Sequence, residues 1–287
     1  MKVKKAVIPV AGLGTRFLPM TKSTPKELLC IVDKPALQYI IEEAHEAGIE
    51  DILLVTNRGK SAIENHFDRN IELELALEKS GKMEVLSKLK EIEGLANIFY
   101  IRQKVTKGLG HAILCAKEFV AGEPFAILLG DDLVYNAERP CIGQLIDQYE
   151  RTGKSIIGCQ EVPIEEINKY GSIRAEKVED DLYRIDHMVE KPKPEEAPSN
   201  IAVLGRHVLR ADIFKYLENT KPGYGGEIQL TDAMDAMARE MEVYGYIFKG
   251  RRYDTGDKLG YLEAVVEYAL RDPKLKDGFR TYLEKII

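Results

Sequence analysis

Residues 7–35 read VIPVAGLGTRFLPMTKSTPKELLCIVDKP, and the fold turns on how this stretch is read. An apolar run at 6–10 has the look of a strand and empties into a glycine-rich turn, Gly12-x-Gly14-Thr15-Arg16. Glycines let backbone N–H groups approach a polyanion closely, and Arg16, Lys22 and Lys26 supply cations nearby. Pro19 and Pro25 keep the segment extended, so no helix begins directly after the glycines. A dinucleotide fingerprint requires a third glycine where Phe17 stands, and it opens a helix. A Walker A loop ends in Gly-Lys-Ser/Thr, whereas Thr21-Lys22-Ser23 lacks that glycine. The stretch is a phosphate cradle of another kind.

Working outward, Leu37, Ile40, Ile41 and Ala44 recur at helical spacing after Pro35, until Gly48 ends the run. Residues 51–56 (DILLVT) form a continuous apolar run, as in a strand buried on both faces. Ser61-x-x-Glu64 reads as a capping box opening a helix, and residues 71–93 are helical and charge-rich. A strand at 98–103, a helix at 110–120 and a strand at 125–130 follow, the last running into Asp131-Asp132. A helix at 142–151 leads to a strand at 155–162. This alternation predicts an α/β fold, a mostly parallel sheet wrapped by helices. The pattern then changes. Residues 172–178 and 182–189, joined by Glu179-Asp180-Asp181, read as an antiparallel hairpin. A strand at 200–209, a helix at 211–218, an amphipathic helix at 227–240, a strand at 243–248 and terminal helices at 258–270 and after Gly278 complete the chain. No linker interrupts it, which predicts one domain with an N-terminal half at about 1–160 and a second half at about 161–287.

A chain of 287 residues can bury a sizeable core. Its net charge of −6 argues against coating nucleic acid or an anionic membrane, so any phosphorylated ligand must meet a local basic cluster. Cys30, Cys115, Cys141 and Cys159 show neither metal nor disulfide-scaffold spacing, which points to a reducing, cytoplasmic setting. No stretch approaches the ~20 apolar residues of a membrane span.

Further blocks stand beside the opening run: KGLGHA at 107–112, LLGDD at 128–132, VEKPKPEEAPSN at 189–200, GGEIQLTD at 225–232 and DTGDKLGY at 254–261. In number and order they resemble the nucleotidyltransferases that make nucleoside-diphosphate sugars, over nearly the whole chain. The resemblance implies the Rossmann-like nucleotide-diphospho-sugar transferase fold: a mixed, mostly parallel sheet with a small antiparallel hairpin region. It implies a Mg²⁺-dependent, in-line attack of glucose 1-phosphate on the α-phosphorus of UTP. Such a nucleophile is already an anion, so catalysis rests on alignment and charge neutralisation.

Arg16 and Lys26 follow the glycine loop and are the candidates for gripping the triphosphate; Lys22 stays open between that role and a surface charge. By resemblance, Ala11, Gly12, Gly14, Glu27, Gln103 and Gly108 bind the nucleotide, the Gln103 amide meeting a base edge with donor and acceptor together. Gly108 and Gly110 would let the chain approach the base. Asp131, at the end of a buried strand, and Asp254 are the implied Mg²⁺ ligands; Asp132 either shares that work or bonds the turn. Glu190 would accept hydrogen bonds from glucose hydroxyls, Lys191 would contact the sugar phosphate, and Gly171 would allow close approach to the sugar. Two departures from the family pattern are Cys30, where proline is usual, and Asp257, where asparagine is common and a carboxylate stands to perturb Asp254. The histidines are expected to be ordinary helix residues. Competing readings are a thymidylyltransferase using dTTP, an inactive sugar-nucleotide sensor, and an NAD-linked oxidoreductase that the missing third glycine disfavours. A homodimer or homotetramer, without nucleic-acid or membrane partners, completes the expectation.

Overall fold

Four strands, Lys5–Pro9, Asp51–Thr56, Asn97–Arg102 and Phe125–Leu128, carry the apolar runs of the first half and pair in parallel, with Lys5–Pro9 between Asp51–Thr56 and Phe125–Leu128. The computed structural model describes residues 2–287. Three of them bury both faces, Asn97–Arg102 lying exposed at the sheet edge: Ala6, Ile8, Ile52 and Leu54 enter one hydrophobic cluster, whereas Val7, Leu53, Val55 and Ile127 enter the other. The helices Ala36–Glu46 and Cys141–Thr152 cover the first face; Leu109–Leu114, Ile213–Asn219 and Leu230–Glu240 cover the second.

The strand Ile201–Leu209 pairs antiparallel with both Phe125–Leu128 and Ser155–Glu161, and so joins the two halves into one nine-stranded sheet. Beyond it Val243–Ile247 runs parallel to Ser155–Glu161, and the hairpin Gly171–Glu179/Leu182–Glu190 closes the sheet. The sheet is thus parallel in its first half and largely antiparallel in its second. Among the described residues, no helix is long and apolar enough to cross a membrane.

Several local expectations change. Residues 15–28 are not extended; they form three 3₁₀ turns, Thr15–Phe17, Met20–Lys22 and Lys26–Leu28. Pro19 and Pro25 stand just before two of these turns, where a missing N–H costs nothing. Ser61 is not a cap: Lys60 holds the N-cap position of Ser61–Phe67, with no side-chain cap bond. The helix expected at 110–120 breaks into Leu109–Leu114 and Lys117–Val120. The helix expected from 227 starts at Leu230, because Ile228 is drawn into backbone hydrogen bonds of 2.8 Å with Lys107 and Gly110. An unforeseen antiparallel pair, Asp132–Tyr135 with Arg251–Asp254, sets Asp254 opposite Asp132.

Candidate active site

The glycine loop leaves the C-terminal end of Lys5–Pro9, beside the end of Phe125–Leu128, where open α/β sheets form their ligand crevice. Gly14 has φ 66°, a left-handed conformation that glycine adopts without a Cβ penalty, and its carbonyl accepts a 2.7 Å bond from the Thr21 hydroxyl. A cavity of about 280 Å³ opens there, lined by Ala11, Gly12, Lys26, Gln103, Gly108 and Asp131 among others. Asn57 donates to the Ala11 carbonyl and fixes the rim.

Glu27 also borders this cavity, yet it is 1% exposed and both its oxygens accept from Lys60 Nζ, at 2.9 and 2.7 Å. Burial pushes the Glu27 carboxyl up despite Lys60 and Lys26, and pushes Lys60 down despite Glu27. The Gln103 amide nitrogen donates to the Gly108 carbonyl (3.1 Å) and to His111 Nδ1 (2.9 Å), which engages both N–H groups. Its Oε1 is the atom left for a base, so Gln103 offers an acceptor rather than the expected donor–acceptor pair. Gly108 has φ +101°, and a Cβ there would meet Glu227 Cβ at 2.6 Å and the Ile228 carbonyl at 2.7 Å. Its bareness therefore serves backbone packing against 227–228.

Lys26 pairs with Asp131 at 2.5 Å. Burial opposes charge on both groups, but the pair overcomes it: the Lys26 ammonium is pushed up, and the Asp131 carboxyl is held below its ordinary value by Lys26 and Arg16. Arg16 itself reaches across to the Gly256 carbonyl at 3.3 Å. A Cβ on Gly256 would lie 2.8 Å from Asp131 Oδ2 and 3.0 Å from Asp254 Oδ1, so these carboxylates converge on one point. Burial raises the Asp254 pKa, and Asp131 and Asp132 add to the rise against the opposing Arg252.

Asp132, by contrast, is 3% exposed and spent: it accepts 2.9 Å from the Gly205 N–H and 2.6 Å from Arg252 Nε. Arg252 also donates to the Tyr170 hydroxyl at 3.0 Å and lies over that ring. Asp257 caps Lys258–Arg271 by accepting from the Leu259 and Gly260 N–H groups, and does not figure among the groups shifting Asp254.

A second cavity, of about 290 Å³, shares Asp131, Leu109, Leu129 and Glu227 with the first. Glu190 ends its hairpin strand there and accepts 2.6 Å from the Thr231 hydroxyl. Lys191, in a left-handed conformation at φ 48°, points its ammonium 3.4 Å from Glu190 and over the Tyr224 ring. Such a conformation costs a non-glycine residue about 1–2 kcal/mol, which marks the turn as held by its surroundings. Gly171 pairs with Glu190 in register, and a Cβ there would touch Thr231 and Val203 at 3.3 Å. Lys22 is exposed and borders neither cavity.

The structure thus gathers Lys26, Arg16, Asp131, Asp254, Glu190 and Lys191 around two adjoining cavities, and adds Asn57, Lys60, Thr231 and Arg252, which sequence reading passed over. Arg252 carried a readable signal: it lies two residues before Asp254 in one strand, hence on the same face. Thr231 sits within the GGEIQLTD block, and Lys60 in the loop leaving a buried strand.

A cleft that converges cations and paired carboxylates at the strand ends is the working surface of a phosphoryl-handling enzyme. The sequence profile described as "Nucleotidyl transferase" matches residues 5–270, and the chain belongs to that family. Full-length relatives narrow the class. A UTP–glucose-1-phosphate uridylyltransferase of Bacillus subtilis (strain 168) is 54% identical, covering 100% of this chain and 98% of its own. One from Staphylococcus epidermidis is 53% identical over 99% of both chains. Among solved structures, a UTP-bound UGPase from Acinetobacter baumannii superposes with a TM-score of 0.92 at 43% identity, covering 99% of this chain and 100% of that one. A putative glucose-1-phosphate thymidylyltransferase from Bacillus anthracis shares the fold at TM-score 0.72, with 20% identity.

Proposed function

We propose that this nucleotidyltransferase makes UDP-glucose and pyrophosphate from UTP and glucose 1-phosphate. The observation that carries the reading is the pair of adjoining cavities meeting at Asp131, one lined by Lys26 and the other by Lys191. A phosphate oxygen of glucose 1-phosphate forms a bond to the α-phosphorus of UTP. The α–β bridging bond breaks, and its electron pair leaves with pyrophosphate. No proton need be removed from the nucleophile.

In this reading Lys26 and Arg16 grip the triphosphate, the loop at Ala11, Gly12 and Gly14 and the acceptor of Gln103 hold the nucleotide, and Gly108 and Glu27 shape the wall. Glu190 accepts from sugar hydroxyls beside Gly171, and Lys191 neutralises the sugar phosphate. The converging carboxylates of Asp131 and Asp254 fit a hard divalent cation: they repel each other, and no third metal-binding side chain joins them among the described residues. That donor set suits Mg²⁺, which keeps waters and phosphate oxygens as ligands. When bound, Mg²⁺ would neutralise phosphate charge during transfer.

The same reading treats the chain as one domain, with a nucleotide half at about 1–160 and a sugar half at about 161–287. It sets the protein in the cytoplasm, in keeping with four unpaired cysteines, and has it self-associate as a dimer or tetramer through terminal helices that expose Leu259, Leu262 and Tyr282. Purified protein given UTP, glucose 1-phosphate and Mg²⁺ is expected to release pyrophosphate, and dTTP is expected to compete poorly. Absence of release under those conditions overturns the proposal.

A further inference from the structure

His207 lies on Ile201–Leu209, next to Arg206, and the two side chains leave the strand on opposite faces. Arg206 turns to Glu43 in the interior, whereas His207 borders the cavity that also holds Glu190 and Lys191. The residue is 2% exposed, and its Nδ1 is sealed inside the protein with no hydrogen-bond partner. Nε2 is the ring nitrogen left to the cavity. Leu129, Leu230 and Met234 line the same cavity and offer it no side-chain polar partner.

Burial, together with the Arg206 charge, pushes the imidazole pKa down to about 3, so the ring is neutral at pH 7 and carries one proton. A proton on Nδ1 would be an orphaned buried donor. A proton on Nε2 puts the donor where a ligand can take it and leaves only a lone pair sealed away, the more tolerable defect. Glu190 on the same cavity is an acceptor, so the two groups present complementary hydrogen-bonding chemistry to a polyhydroxylated ligand.

We propose that His207 is a specificity-determining residue, whose Nε2–H donates to a hydroxyl of the hexosyl group. The proposal rests on the sugar-cavity reading above and deepens it. A hexose whose hydroxyl is inverted or missing leaves the buried imidazole unpaired, and a site built to pair discriminates by that loss.

The test compares wild type, His207→Phe and His207→Gln with glucose 1-phosphate and galactose 1-phosphate. His207→Phe should raise KM for glucose 1-phosphate by roughly 5- to 10-fold, the loss of about one hydrogen bond. KM for UTP should stay within about twofold of wild type by the same reasoning, and the preference for glucose over galactose should narrow. His207→Gln keeps a donor and should recover part of the loss. In wild type, ¹⁵N NMR should show a neutral ring protonated at Nε2, whose signal moves with glucose 1-phosphate and not with UTP. An unchanged KM for glucose 1-phosphate, an equal rise in both KM values, or a ring protonated at Nδ1 overturns the proposal. Wild type that releases no pyrophosphate overturns instead the activity reading on which it rests; active wild type with an indifferent His207→Phe overturns this inference alone.

Discussion

Two ion pairs, one behind the sheet and one in the cleft, use the same chemistry to opposite ends. Behind the sheet, Arg206 is fully buried and grips Glu43 with Nε and Nη2, while Nη1 and Nη2 also donate to the Gly205 and Asp132 carbonyls, at 3.0 and 2.7 Å. Glu43 in turn accepts 2.9 Å from the Ile142 N–H. Helix Ala36–Glu46, strand Ile201–Leu209 and the start of Cys141–Thr152 are thereby locked together. In the cleft, Lys26 and Asp131 hold each other with oxygens and protons to spare, both partly open to solvent. A saturated pair is a brace; an unsaturated one stands ready to exchange its partner for a ligand.

The largest effect should come from breaking the brace. Arg206→Met strands the Glu43 carboxylate in the interior and should cost about 3–5 kcal/mol of stability, read by urea unfolding. A cost near zero would mean that Glu43 finds another partner and that the brace is dispensable. Lys26→Ala should do the reverse. Stability should stay within about 1 kcal/mol, because solvent can reach Asp131. Pyrophosphate release should fall by about 10²–10³ in kcat/KM. A Lys26→Ala protein that unfolds rather than losing activity would erase the distinction between the two pairs.

A smaller effect concerns pH. His207 is held neutral with a pKa pushed down to about 3, against 6.5 when unfolded, so the unfolded chain binds the extra proton. Its stability contribution is intact above pH 6.5 and is lost as pH falls toward 3. The slope is at most roughly 1.4 kcal/mol per pH unit. Urea midpoints measured across that window should flatten in His207→Phe, and an unaltered slope would place the titration elsewhere. The smallest effect is expected at the surface. Removing the exposed Arg174–Asp186 pair (3.0 Å) should change stability by less than about 1 kcal/mol.

What could be read from the chain follows from where its information lies. The strands at 51–56 and 125–130 were legible because burial on both faces writes a continuous apolar run. Asp131 was legible because it ends one of those runs. Lys60 was not, since its partner Glu27 lies 33 residues away, and for Arg252 the strand spacing pointed to Asp254's face but not to its pairing with Asp132, 120 residues away. Gly108 shows the intermediate case. A glycine at a close approach was readable, whereas the neighbours at 227–228 that a Cβ there would meet were not. The same distant contact explains why the helix expected from 227 waits until Leu230. His207, expected to be an ordinary helix residue, proved to be a strand residue with a sealed ring nitrogen, a feature visible only once the sheet is assembled.

The contact between 107–110 and 227–229 has a thermodynamic consequence. Leu109, Leu129, Asp131 and Glu227 border both cavities, so the two pockets share one wall. The two binding equilibria share that wall as a common coordinate. By whatever factor an occupant on one side shifts the affinity on the other, the second occupant must shift the first by the same factor.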